Sequence, residues 1–161
     1  MMFLLKKTPK ATMKIKDLNK IFENHKKVEE LRGEILENKN VFLKGVAGSA
    51  MGMIFANLDA HRQNLIVLND REEAAYFAND LENITQSDNI LLFPSSFKRS
   101  IQYEQIDTGS VVLRTNVLNK LSSNPKKFTI VTYADALIEK VISKKNLKTN
   151  SLEVKVGNTI S

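Results

Sequence analysis

Apolar residues along this chain form two patterns, short mainly apolar runs and stripes at helical spacing. The runs are Val41-Phe42-Leu43-Lys44, Leu65-Ile66-Val67-Leu68, Ile90-Leu91-Leu92-Phe93 and Phe128-Thr129-Ile130-Val131. Each reads as a short strand buried on both faces. The stripes are Leu18/Ile21/Phe22, Val28/Leu31/Ile35, Met51/Ile54/Phe55/Leu58, Ala74/Phe77/Ala78/Leu81, Val111/Leu113/Val117/Leu118/Leu121 and Leu137/Ile138/Val141/Ile142. Each predicts an amphipathic helix. Asp17 is a candidate N-cap, and Asp70 with Glu73 and Thr132 with Asp135 sit at capping-box spacing. Asn24-His25-Lys26 and Asn124-Pro125 read as turns. Pro94–Gly109 has no period and reads as a long loop carrying Phe97, Ile101, Tyr103 and Ile106. Leu152-Glu153-Val154-Lys155-Val156 alternates, as an edge or one-sided strand does. Buried runs followed in turn by amphipathic helices predict an α/β fold, a mainly parallel sheet with helices on both faces in three layers. No internal repeat is present.

Composition narrows this picture. The length of 161 residues suits one domain with its own core. There is no cysteine, hence no disulfide framework and no thiolate metal site. No apolar run approaches the roughly 20 residues of a membrane span. The start Met1-Met2-Phe3-Leu4-Leu5-Lys6-Lys7 places its charges after the apolar run and lacks a small-residue cleavage site, unlike a signal peptide. The expectation is a cytoplasmic chain with no membrane partner, opening on a basic, flexible leader over residues 1–14. The net charge is +6, with basic pairs at Lys6/Lys7, Lys26/Lys27, Lys98/Arg99, Lys126/Lys127 and Lys144/Lys145. Such a charge suits nucleic acid, an acidic protein or plain solvent. Aromatic residues do not interleave with it as a single-strand stacking platform requires.

The stretch with most chemistry is Leu43-Lys44-Gly45-Val46-Ala47-Gly48-Ser49-Ala50-Met51-Gly52, between a predicted strand and a predicted helix. That is the setting of a phosphate-binding loop of pattern G-x-x-x-x-G-K-[ST]. Aligned on Gly45, the second glycine falls at Ala50, the lysine at Met51 and the hydroxyl residue at Gly52. A methyl at Ala50 obstructs backbone approach to phosphate oxygens. Met51 brings no charge to the β- and γ-phosphates, and Gly52 no hydroxyl to Mg²⁺. The helix start could still attract an anion weakly through its free N–H groups. The plainer alternative is a small-residue turn, with Met51 part of the apolar stripe of the helix that follows.

Gly45-Val46-Ala47-Gly48-Ser49 after Phe42-Leu43 resembles the nucleotide loop of one excinuclease component, the one that inserts a tyrosine-rich hairpin between DNA strands. Further on come Ile90-Leu91-Leu92-Phe93-Pro94, Val112-Leu113-Arg114, Leu118-Asn119-Lys120-Leu121, Phe128-Thr129-Ile130-Val131-Thr132 and Ala136-Leu137-Ile138-Glu139-Lys140-Val141. Their order resembles the N-terminal region of the bacterial transcription-repair coupling factors, a degenerate relative of that excinuclease component. Asn69-Asp70-Arg71-Glu72-Glu73-Ala74-Ala75-Tyr76 looks closest to the Bacteroidetes branch. The resemblance covers roughly residues 41–157.

That resemblance implies a P-loop nucleoside-triphosphatase-like domain over residues 41–156. Helices at 15–40 would precede it, and a truncated start of a next domain would follow at 157–161. The parent of such a module is an ATP-dependent DNA translocase, with ATP and Mg in a distant motor and DNA and RNA polymerase bound by other domains. The module itself would need no cofactor. It would help recruit the damage-recognition subunit of the excinuclease, mainly through the domain that follows, and would restrain the motor by intramolecular contact. The loop Pro94–Gly109 is too short for the tyrosine-rich hairpin, so damage verification is not implied. A nucleotide-binding helicase-type ATPase domain and a DNA-binding module are the alternatives. Against the first stand Met51 and Gly52, and the lack of an Asp-Glu pair ending an apolar strand. His25 and His61 lack carboxylates at metal-ligand spacing. Ser49, Ser95 and Ser96 lack an identifiable base.

Overall fold

The computed structural model describes residues 13–37, 39–58, 63–98, 105–123 and 127–149. The leader up to residue 12, His61, Ile101, Tyr103, the Asn124-Pro125 turn and the predicted strand Leu152–Val156 lie outside them. The chain divides into two compact units, Met1–Ala60 with Asp80–Gln86, and His61–Asn79 with Ser87–Ser161. No helix among the described residues is long and apolar enough to cross a membrane.

The second unit holds an open, all-parallel α/β sheet. Its strands among the described residues are β1 (Gln63–Leu68), β2 (Ile90–Leu92) and β3 (Phe128–Tyr133), in the order β1-β3-β2. Leu65 pairs with Ile130 on one side of β3, and Leu91 pairs with the same Ile130 on the other. The last of these strands in sequence is therefore the central one, and all but Thr129 of its residues are buried. β1 departs from expectation. Ile66 is buried, but Leu65 is 59% exposed and Val67 is half exposed, because an edge strand with one covered face hides only alternate side chains. β2 ends where Pro94 removes a donor. Pairing with β3 still continues one step, since the Phe93 N–H donates to the Val131 carbonyl at 2.9 Å.

Helix α4 (Arg71–Thr85) follows β1 and starts as expected. The Asp70 carboxylate accepts from the Glu73 N–H at 2.8 Å, and Glu73 reaches back to the Asn69 N–H at 3.1 Å. Ala74 and Ala78 of its predicted stripe are buried in this unit. Helix α5 (Thr108–Ser122) starts earlier than the periodicity implies, because Asp107 caps it by accepting from the Gly109 N–H. Its buried face is Ser110, Arg114 and Val117, while Leu113 and Leu121 of the predicted stripe are partly exposed.

The segment after β3 departs most. Thr132 is not a helix cap. It lies fully buried in β3 and its hydroxyl donates to the Phe93 carbonyl at 2.7 Å. Tyr133 takes the N-cap position of the five-residue α6 (Ala134–Ile138). The chain then turns extended at Glu139. The predicted face Leu137/Ile138/Val141/Ile142 never completes a helix, and Ile138 is 77% exposed. A short α7 (Lys144–Thr149) buries Leu147.

The first unit contains α1 (Ile15–Glu23), α2 (Lys26–Leu36), α3 (Ala50–Ala56) and the last residues of α4, including the buried Leu81 and Ile84. Lys14, not Asp17, occupies the N-cap of α1; Asp17 lies in the first turn, where its charge complements the helix dipole. His25 caps α2 through Nδ1, which accepts from the Lys27 N–H at 3.3 Å. Val28 and Leu31 are buried as the stripe predicts. Asn57 ties three helices together. Its side-chain amide donates to Asn19 Oδ1 at 2.7 Å and to the Met53 carbonyl at 2.8 Å, and its own carbonyl accepts from Arg32 Nε at 3.1 Å. The predicted strand Val41–Lys44 is absent. No described strand pairs with it, and Phe42 is 88% exposed.

Candidate functional site

The residues singled out by the sequence, Gly45, Gly48, Ser49, Ala50, Met51 and Gly52, lie together in the first unit with α1 to α3. Gly45 and Gly48 have φ of +80° and +55°, and a Cβ on either would meet nothing within 4 Å. Glycine is required there by backbone conformation and not by close approach of a neighbour. The Ala50 N–H donates to the Ala47 carbonyl and the Met51 N–H to the Gly48 carbonyl, both at 3.4 Å. Two amides that a phosphate would use are thus spent, if weakly, inside the turn.

α3 has only seven residues and Ser49, at its N-cap, makes no side-chain capping bond. Gly52 is buried, and a Cβ there would stand 3.4 Å from Ile84 Cδ1. Met51 is not a core residue: it is 37% exposed, and Met53 takes the buried position. The inward face of α3 is therefore Gly52 and Met53, not Met51. Ser49 and Met53 border a cavity of about 370 Å³ lined chiefly by Met13, Ile15, Leu18 and Ile84. Among the described residues its charged lining is Lys14 and Asp80. A cavity with mostly apolar walls and balanced charge suits side-chain packing better than a triphosphate.

Two polar networks in the second unit have no counterpart in the sequence pattern. The first centres on Arg114, which is 5% exposed. Its Nη1 donates to the carbonyls of Pro94 and Ala136, and its Nη2 to the carbonyl of Glu139, each at 3.0 Å. Its Nε lies 3.5 Å from Glu139 Oε1. The other oxygen of Glu139 accepts from the Ser95 hydroxyl at 3.0 Å and the Ser96 N–H at 2.8 Å. Burial alone would raise the Glu139 pKa. Hydrogen bonds from Ser96 and Ser95 and the Arg114 charge outweigh it and hold the carboxyl below its ordinary value. Burial pushes the Arg114 guanidinium down, against the pull of Glu139. Ser95 thus faces a carboxylate that holds a structural turn, and among the described residues no histidine stands beside it.

The second network joins Arg71 to Asp107 at 2.6 Å and to the Ser110 hydroxyl at 3.0 Å. The Arg71 hydrogen bond, with help from Ser110, lowers the Asp107 carboxyl to about 2. Arg71 stands at the start of α4 and Asp107 caps α5, so the pair ties two helix N-termini in one unit. Among the described residues no cluster of three or more His, Asp or Glu could hold a metal ion. Nothing in the periodicity points to these arginines. The one available signal is the presence of Arg114 and Ser110 at helical spacing with Val117.

Compared with protein-family models, with curated proteins and with solved structures, the chain matches none.

Proposed function

We propose that this chain is a non-catalytic scaffold of the transcription-repair coupling factor type, built on a P-loop nucleoside-triphosphatase-like α/β plan. In this reading it supports recruitment of the damage-recognition subunit of the excinuclease. It also restrains a distant ATP-driven DNA translocase. The ordered resemblance over residues 41–157 supports it. The observation that carries it is the chemistry at residues 50–52. Ala50 and Met51 turn their amides into the loop, Met51 offers no charge, and Gly52 is packed against Ile84 where a Mg²⁺-binding hydroxyl would be needed.

The test is calorimetry with Mg-ATP on the wild type and on an Ala50→Gly, Met51→Lys, Gly52→Thr variant. The expected result is no binding by the wild type at millimolar nucleotide; micromolar binding would overturn the reading. The regulatory half is tested by adding the purified chain to a coupling-factor motor that lacks its own N-terminal region. A fall in ATPase rate is expected, and an unchanged rate argues against restraint.

A further inference from the structure

The two outermost described strands of the parallel sheet differ in how their edges are guarded. β2 is three residues long, half-buried throughout and closely followed by Pro94, so it offers little backbone to another strand. β1 is six residues long, and Gln63-Asn64-Leu65-Ile66-Val67-Leu68 contains no charge, proline or glycine. It pairs with β3 on one side and with no described strand on the other. Edge strands are ordinarily kept from pairing with other chains by shortness, proline, bulges or charge. β1 lacks the short length, the proline and the charge, and it adds two apolar side chains on one open face. Leu65 is 59% exposed and Val67 is 49% exposed, while Ile66 between them is buried on the opposite face.

We propose that the outer edge of β1 is a self-association surface, on which a second copy of this chain lays its own β1 antiparallel. A twofold axis normal to the sheet brings the same edge of both copies together and closes the assembly at two. It also keeps Leu65 and Val67 of both copies on one face. Residues directly opposite in an antiparallel pair share a face, so an axis between two residues, which would set an open position against a buried one, is ruled out by the pleat. With Ile66 opposite Ile66 of the other copy, Leu65 meets Val67 and Val67 meets Leu65, and all four open side chains are covered. Moving the axis to Leu65 sets Val67 against Gln63, and moving it to Val67 sets Leu65 against Asn69. The edge therefore complements itself best in one register. It fits a second copy better than a charged partner, because it holds no charge for such a partner to read. The surface involves none of residues 45–52 and does not depend on the scaffold reading.

A six-residue ladder falls short of the roughly 1,600 Å² of a standard interface, so the association is reversible and shows at high protein concentration. The experiment is sedimentation velocity on the full chain from about 10 to 500 µM, a range suited to small, transient interfaces. The expected mass rises with concentration towards twice that of one chain and no further. Leu65→Lys with Val67→Lys sets like charges opposite each other at both positions and weakens association at least about tenfold, as does Leu65→Glu with Val67→Glu. An equimolar mixture of these two variants regains the dimer, which a folding defect would not allow. Circular dichroism checks that both remain folded. The register is read by cysteine pairing, since the chain has no thiol of its own. A mixture of Leu65→Cys and Val67→Cys chains cross-links on the order of tenfold faster than either alone, because a disulfide needs Cβ atoms about 4 Å apart. The proposal is overturned if the wild type stays monomeric throughout, as it would were another segment of the chain to cover this edge. It is equally overturned if the mass grows beyond two copies, if the lysine variant associates like wild type, or if Leu65→Cys alone cross-links as fast as the mixture.

Discussion

The guanidinium of Arg114 lies over the ring of Phe93, its carbon 4.1 Å from the ring centroid. The stacking places a cation on a residue tied to β3 twice, by its N–H to the Val131 carbonyl and by its carbonyl to the Thr132 hydroxyl. From that position Arg114 holds the turns after β2 and after α6 in one grip.

Removing this grip is expected to be costly. Arg114→Ala takes this donor from three carbonyls and leaves Glu139 with its bonds to Ser95 and Ser96 but no countercharge, and breaking a buried ion pair costs about 3–5 kcal/mol. Arg114→Lys keeps the charge but cannot fork between Pro94, Ala136 and Glu139, and should lose about 1–3 kcal/mol. Urea unfolding of both variants measures this. A loss under about 0.5 kcal/mol for the alanine variant, the range of ordinary surface substitutions, would show that the network carries no stability.

Asp107 predicts an acid limb. Its folded pKa, about 2, lies below the ordinary 3.8. The stabilisation is therefore complete above about pH 4 and is lost as pH falls through 2. Asp107→Asn retains a good N-cap but discards the charge facing Arg71. The variant should be less stable than wild type at neutral pH, and the gap should close between pH 4 and 2. Thermal melts across that range test it; a gap independent of pH would assign the loss to something other than the ion pair.

The glycines divide by backbone, not by space. Gly33 is exposed in α2 with nothing near its absent Cβ, so Gly33→Ala should stabilise by about 0.5–1 kcal/mol. Gly45 has just as much room but a φ of +80°, so Gly45→Ala should destabilise by about 1–2 kcal/mol. Parallel denaturation curves decide it, and equal effects at the two positions would contradict the left-handed turn.

Asn57 and Asn19 should behave as a coupled pair. A double-mutant cycle with alanine at each position is expected to give a coupling of about 0.5–1.5 kcal/mol, read by urea unfolding. Additive losses would mean that the 2.7 Å contact contributes nothing.

What is legible in the sequence follows from what periodicity can see. Phe128–Val131 is readable because a central strand is buried on both faces, and Asp70 with Glu73 because capping depends on local spacing. Val41–Lys44 misleads because an apolar run has the same appearance with or without a pairing partner. The face drawn through Leu137, Ile138, Val141 and Ile142 fails for a tertiary reason, since Glu139 is pulled extended by contacts from α5 and the Pro94–Ser96 turn. Arg114 itself is invisible to any count of apolar residues, because its burial depends on carbonyls from distant segments. At the candidate loop, the glycine spacing and the missing lysine are legible. The use of the Ala50 and Met51 amides and the packing of Gly52 on Ile84 are not.

The strand order also governs how the protein is made. Among the described strands β1 and β2 are not neighbours, and each pairs with β3. During synthesis neither can form its ladder with β3 until residues 128–133 have left the ribosome. Until then Leu65-Ile66-Val67-Leu68 and Ile90-Leu91-Leu92 wait as unpaired apolar segments, with no charge inside either run. A pause in translation before Phe128 would prolong the interval in which these segments can meet a chaperone, or each other on neighbouring nascent chains.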